Sequence, residues 1–225
     1  TSLDSPRGVF VADFDGDFDA DLLVASSDTR EVIWYENDGS ESFTAHSITS
    51  SANGAFDVFA TDLDADGDID ILSTSIYDAK VAWHENDGNQ SFSSHTITTS
   101  MPKTAAVFAV DFDQDGDVDV LATSQTNNLL NWYENDGNQS FSAHTISSSV
   151  NDVREIFVAD IDGDGDWDVL SASMADDKIA WHENDGSQNF TERVISTAAR
   201  EARSVYATDM DGDGDIDVLS ASFTD

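Results

Sequence analysis

Aspartates on alternate residues recur in this chain as an acidic nonapeptide, D-x-D-x-D-x-D-x-D, present five times. The first copy holds Asp13, Asp15, Asp17, Asp19 and Asp21, and the second Asp62, Asp64, Asp66, Asp68 and Asp70. The third holds Asp111, Asp113, Asp115, Asp117 and Asp119, and the fourth Asp160, Asp162, Asp164, Asp166 and Asp168. Asp209, Asp211, Asp213, Asp215 and Asp217 form the fifth. Alternate side chains on an extended backbone point the same way, so the carboxylates of one copy converge. Two carboxylates held ~5 Å apart repel by roughly 3 kcal/mol at an effective dielectric near 20, which calls for a counter-ion. An all-oxygen set of this kind suits a hard divalent cation, and the spacing predicts about five bound Ca²⁺, one per copy. Within a copy, positions 1, 3 and 5 aim carboxylates inward and position 6 makes the sharp turn, with glycine in four of the five. Position 7 offers its backbone carbonyl and position 9 closes the loop, the order found in the first part of an EF-hand. The bidentate Glu that an EF-hand needs at position 12 is missing: Val24, Ser73, Ala122, Ser171 and Ser220 stand there.

The elements that position these loops follow from their spacing. Asp13, Asp62, Asp111, Asp160 and Asp209 are 49 residues apart, a period that marks a repeat architecture whose units stack to share a core. In the second unit, Val58 to Thr61 and Ile71 to Thr74 are short β-prone runs on either side of the loop. Val81 to His84 reads as a third strand, Asn86-Asp87-Gly88 as a hairpin turn, and Phe92 to Ile97 as a fourth strand. Four antiparallel strands per unit make a propeller blade, so an all-β propeller of four-stranded antiparallel blades is predicted, with almost no helix. The blades fall at about 8–56, 57–105, 106–154 and 155–203, with a partial fifth at 204–225, in one domain or a segment of one spanning 1–225. Trp34, Trp83, Trp132 and Trp181 share one position on the third strand, and Phe43, Phe92, Phe141 and Phe190 share one on the fourth. A large aromatic in every unit is read as core between blades, the alternative being a sugar-stacking platform.

Composition narrows the function. The 225 residues are 39% hydrophobic, enough for a sizeable core, and carry a formal charge of -37. Of the 46 acids, 25 sit in the five loops. A surface this negative repels phosphate and excludes nucleic acid as a partner. No run of 18 apolar residues is present, so no membrane span is expected. With no cysteine, metal replaces disulfides as the staple, which favours a calcium-rich extracellular or cell-surface setting. The chain starts at Thr1 without a visible leader and stops at Asp225 after the second strand of its fifth unit. A segment of a longer protein, or a partner chain covering the open edge, is therefore expected to complete the last blade.

The run Val107-Phe-Ala-Val-Asp-Phe-Asp-Gln-Asp-Gly-Asp-Val-Asp-Val-Leu-Ala, with Trp132-Tyr-Glu-Asn-Asp-Gly after a gap, resembles the FG-GAP and VCBS repeats of integrin-α-like β-propellers. The resemblance extends over all five units. It implies calcium loops joining the first and second strands of each blade, in secreted or cell-surface proteins engaged in adhesion or ligand binding. It also implies metal ligands at positions 1, 3, 5 and 9, with a main-chain oxygen from position 7. The first loop departs from the pattern, because Phe18 occupies position 6. A bulky residue resists positive φ, so this site is expected to be weaker or differently shaped.

No catalytic constellation stands out. The paired carboxylates repeat identically in every unit, whereas active sites break symmetry. His46, His95 and His144 are equivalent on the fourth strand, and His84 and His182 take the place of Tyr35 and Tyr133 on the third. All five read as half-buried strand residues, not as a zinc or Ser-His-Asp site. Asn89, Asn138 and Asn189 open glycosylation sequons in the hairpins. The expected function is a calcium-binding extracellular scaffold for adhesion or protein interaction, without enzymatic activity and with a protein or glycan ligand at the cell surface. The alternative is a carbohydrate-binding propeller or an accessory module of a secreted polysaccharide-active enzyme.

Overall fold

A computed structural model describes residues 3–40 and 42–224. Thr1 and Asp225, the limits of the sequence reading, lie outside the described residues. Every regular element described is a strand. Blade 1 comprises β1 (Pro6–Ala12), β2 (Asp21–Ser26), β3 (Glu31–Asn37) and β4 (Phe43–Thr49), and blade 2 comprises β5 (Ala55–Thr61), β6 (Asp70–Ser75), β7 (Lys80–Asn86) and β8 (Phe92–Thr98). Blade 3 holds β9 (Thr104–Val110), β10 (Asp119–Ser124), β11 (Leu129–Asn135) and β12 (Phe141–Ser147). Blade 4 holds β13 (Val153–Ala159), β14 (Asp168–Ser173), β15 (Lys178–Asn184) and β16 (Phe190–Ser196). β17 (Ala202–Thr208) and β18 (Asp217–Ser222) form a two-stranded fifth sheet. Within each blade the strands pair antiparallel in chain order. This is the propeller blade that the 49-residue period predicts.

The first strands β1, β5, β9, β13 and β17 neighbour one another in turn, and β2, β6 and β14 touch the first strand of the following blade. The blades therefore radiate from a common axis. Phe10, Phe59, Phe108, Phe157 and Tyr206 form a ladder along these inner strands, with ring centroids 4.9, 4.9, 5.8 and 4.6 Å apart. A carboxylate crosses between two of the inner strands: Val107 N donates to Asp57 Oδ2 at 2.9 Å. Burial pushes the Asp57 carboxyl up to about 7, opposed by the N–H groups of Val107 and Val58.

The core lies between blades, as the aromatic series predicts. Trp34 is buried with Leu23, Val58 and Ile71 of blades 1 and 2, and Phe92 packs against that cluster. Phe141 and Phe190 do the same for the clusters around Trp83 and Trp132. Phe43 packs on no cluster of the described residues and is 48% exposed. Since Trp34, Trp83 and Trp132 are at most 4% exposed, they cannot offer a stacking face to a sugar.

Candidate metal centres

Each acidic loop joins the first and second strands of its blade, and position 9 opens the second strand. The loop folds around its own first Asp. The position-6 N–H donates to the position-1 carboxylate in all five loops, at 2.9 Å from Phe18 to Asp13 and 3.0–3.1 Å in the others. The position-7 N–H donates to position 5, as from Asp117 to Asp115 Oδ1 at 3.0 Å. This wrapping needs two left-handed residues per loop. Position 6 has φ of 101°, 103°, 98° and 97° at Gly67, Gly116, Gly165 and Gly214, and 75° at Phe18. Phe18 thus adopts the geometry it resists, and the residue is 94% exposed. Position 4 is left-handed too, including Ala65 at 60° and Gln114 at 64°, a requirement the sequence hides because glycine fills only three of these five positions.

Carboxylate oxygens meet within 4.8 Å of one another in every loop. The groups are Asp13, Asp15 and Asp17; Asp62, Asp64 and Asp66; and Asp111, Asp113 and Asp115, all from positions 1, 3 and 5. In the last two loops they are Asp160, Asp162 and Asp168, and Asp209, Asp211 and Asp217, from positions 1, 3 and 9. Position 7 joins none of these groups. Its carboxylate abuts the hairpin glycine, so that a Cβ on Gly88 would fall 2.4 Å from Asp68 Oδ2 and one on Gly137 2.5 Å from Asp117 Oδ2. Asp19 and Asp166 sit against Gly39 and Gly186 in the same way. Position 7 therefore braces the hairpin with its side chain.

Position 9 ties the loop to the sheet. Asp70 Oδ1 accepts the N–H of Asn86 at 2.8 Å, Oδ2 accepts that of Leu63 at 3.1 Å, and the residue is 1% exposed. Asp21, Asp119 and Asp168 make the same pair of bonds. Burial pushes Asp70 and Asp119 up to about 6, and the N–H donors oppose it. The buried indole N–H groups of Trp34, Trp83, Trp132 and Trp181 have no acceptor at hydrogen-bond distance among the described residues. Those of Trp83, Trp132 and Trp181 nonetheless favour the ionised form of Asp70, Asp119 and Asp168.

The position-3 carboxyls Asp15, Asp64, Asp113 and Asp162 are raised first by burial, with neighbouring loop carboxylates adding to the push. A third-strand glutamate adds its charge to each: Glu36, Glu85, Glu134 and Glu183 in turn. Sequence reading passed over these glutamates, whose place beside the loop depends on the sheet. His46, His95 and His144 hold them at 2.6–2.7 Å, and Arg193 pairs with Glu183. The carboxylates fit a divalent cation on one further count. Asp111 Oδ1 is buried without any hydrogen-bond donor among the described residues, although it belongs to a group of three converging carboxylates. Positions 1, 3 and 5, with position 9 in the fourth and fifth loops, are the residues that would hold the ion.

The FG-GAP-like repeat family matches residues 13–73, 62–122, 111–171 and 160–220. The chain belongs to this family. Each matched stretch runs from the first Asp of one acidic loop to three residues beyond the next loop, so it takes in the loops and strands just described. No curated protein matches the sequence. Among solved structures, a chain of a nidogen/laminin complex aligns with TM-score 0.63 at 7% identity, over 89% of this chain and 67% of that one. A catalytically inactive virginiamycin B lyase from Staphylococcus aureus, solved with quinupristin, aligns with TM-score 0.63 at 11% identity, over 98% and 71% of the two chains. At such identities the likeness concerns the fold alone.

The remaining histidines differ from their expected half-burial. His84 and His182 are 2% and 1% exposed. His84 bridges Ser73 Oγ at 2.9 Å and Ser94 Oγ at 2.8 Å, and His182 meets Ser171 Oγ at 3.0 Å. Ser73 and Ser171 are buried as well, so no substrate reaches either hydroxyl. Burial lowers both imidazoles to about 4, which keeps them neutral.

Proposed function

We propose that this FG-GAP propeller is a calcium-stabilised interaction scaffold of the extracellular space or cell surface, holding one Ca²⁺ per acidic loop. The reading is carried by the convergence of three carboxylate oxygens within 4.8 Å in every loop. Such crowding of like charge is offset by a divalent ion with oxygen preference. Ligands come from positions 1, 3 and 5, and from position 9 where it joins the group. The partner is a protein or glycan engaged by the propeller's rim or loop face. Burial of Trp34, Trp83 and Trp132 speaks against a lectin reading built on the third-strand tryptophans, and the repeat family fits a non-catalytic module. Calorimetric titration of chelator-stripped protein tests the metal reading. The expected stoichiometry is about five, and saturation at one or two ions, or preference for Zn²⁺ over Ca²⁺, would overturn it.

A further inference from the structure

Two residues that break the repeat meet in one cleft. Position 4 carries Gly16, Ala65, Gly163 and Gly212 in four loops but Gln114 in the third, and position 8 carries Ala20, Ile69, Val118 and Ile216 in four loops but Trp167 in the fourth. Gln114 and Trp167 line the same cleft of about 510 Å³ between the third and fourth loops, together with Val110, Asp111, Asp160 and Gly165. Gln114 takes a left-handed backbone that glycine would adopt more easily, and its Nε2 donates to Gly165 O across the cleft at 2.6 Å. Trp167 packs partly on the core between blades 3 and 4 and leaves the rest of its side chain in the cleft. Neither departure is needed by the loops, since four others form without it.

We propose that this cleft binds a small organic cation bearing a quaternary ammonium group, with Trp167 as its aromatic contact. The volume falls within the ~300–1,000 Å³ range of small-molecule sites. Trp167 and Val110 give the lining its apolar side chains, and Asp111 and Asp160 give it its acids. An aromatic ring in a field of net negative charge suits a bulky, weakly hydrated cation, which meets the ring quadrupole while the two adjoining loops supply the long-range attraction. Charge sets the sign of the ligand. Each adjoining loop carries five aspartates and keeps three net negative charges even with a divalent ion bound, so anions are excluded and a cation is drawn in whether or not the metal reading holds.

The test compares choline with 3,3-dimethylbutan-1-ol, its neutral isostere, by calorimetry and tryptophan fluorescence on the calcium-saturated chain. Choline should bind with a stoichiometry of one and at least about tenfold tighter than the alcohol, and its affinity should fall as salt is added. Trp167→Leu should abolish binding. Gln114→Gly, which installs the residue that three other loops carry, should weaken it severalfold without lowering the melting temperature. Equal affinity for the alcohol, undiminished choline binding by Trp167→Leu, or saturation by a methyl glycoside but not by choline would each overturn the proposal.

Discussion

Strands β14 and β18 have the same six residues, Asp-Val-Leu-Ser-Ala-Ser, and opposite surroundings. β14 is buried from end to end, with Leu170, Ser171, Ala172 and Ser173 fully inaccessible. In β18, Asp217, Ser220 and Ala221 are exposed and Leu219 is half-buried. The same contrast separates the inner strands: Val9 is 58% exposed, while its equivalents Val58, Val107, Ile156 and Val205 are at most 4% exposed. At loop position 2, Met210 is 67% exposed, and Phe14, Leu63 and Phe112 are buried. Backbone pairing and loop geometry are therefore written into each repeat, and burial is conferred by the neighbouring blade. That division is how stability works in stacked repeats, where each unit contributes locally and the interfaces add the rest.

Metal removal should have the largest effect, because the loops are common to interior and end blades. At a free Ca²⁺ concentration 100 times the dissociation constant, each independent site contributes about 2.7 kcal/mol. Excess chelator is expected to lower the melting temperature greatly or unfold the chain, and in hydrogen exchange β17 and β18 should lose protection before β14 does. A melting curve indifferent to chelator would place stability in the blade interfaces alone.

The identical hexapeptides supply a sharper test. Leu170→Ala removes a fully buried side chain and should destabilise by ~2–5 kcal/mol, whereas Leu219→Ala, at the equivalent place in β18, should cost less than about 1 kcal/mol. Denaturant titration of the two variants measures the difference. Equal losses would mean that β18 is covered in solution as β14 is here.

Much of this was legible in the sequence. The 49-residue period, the Asp ladder and the alternating apolar runs located all the strands of the second blade, which run one to three residues longer than their apolar stretches. The third-strand tryptophans were readable as core because only a stacked sheet needs so large a side chain in every unit. What escaped depends on three dimensions. Position 9 looks like one more chelating Asp, and the sequence hides that in four loops it is also a tie to the third strand, because its partners Asn37, Asn86, Asn135 and Asn184 stand 16 residues further on. Position 7 looks alike and faces a hairpin glycine instead. Glu36 and its equivalents reach the loops only once the strands pair.

A pH experiment probes the comparison at the level of side chains. His84 and His182 are lowered to about 4 from an ordinary value near 6.5, so folding keeps them neutral. Their contribution is fully present above pH 6.5 and is lost as pH falls towards 4, by about 2 kcal/mol per histidine at pH 5. The charges bearing on them are Lys80 and His95 for His84, and Glu192 and Lys178 for His182. The equivalent sets in blades 1 and 3 are Val24, Tyr35 and Ala45, and Ala122, Tyr133 and Ala143, without an imidazole or the serines that hold it. Combining Ser73→Ala, His84→Tyr and Ser94→Ala converts blade 2 to the blade 3 set. Roughly half of the acid sensitivity attributed to the two histidines should disappear, as read from stability between pH 7 and 5. An unaltered slope would move the acid response elsewhere.

The smallest expected effect compares loops that share all five aspartates. Phe18 and Gly116 both stand at position 6 with positive φ, 75° and 103°. A side chain in that region costs about 1–2 kcal/mol, partly offset because glycine loses more backbone freedom on folding. Phe18→Gly should therefore stabilise the calcium-loaded chain by about 1 kcal/mol or less. It should also tighten the first site, since the N–H of residue 18 already donates to Asp13 and the carboxylates of Asp13, Asp15 and Asp17 already converge. Asp162→Ala removes a ligand from the fourth loop, whose left-handed positions 4 and 6 are both glycine, Gly163 and Gly165, and should lower calcium affinity more than Asp15→Ala. Titration of the single variants ranks the two sites. If Phe18→Gly leaves both affinity and melting temperature unmoved, the turn tolerates the ring at no cost, and the first loop is as good a site as the other four.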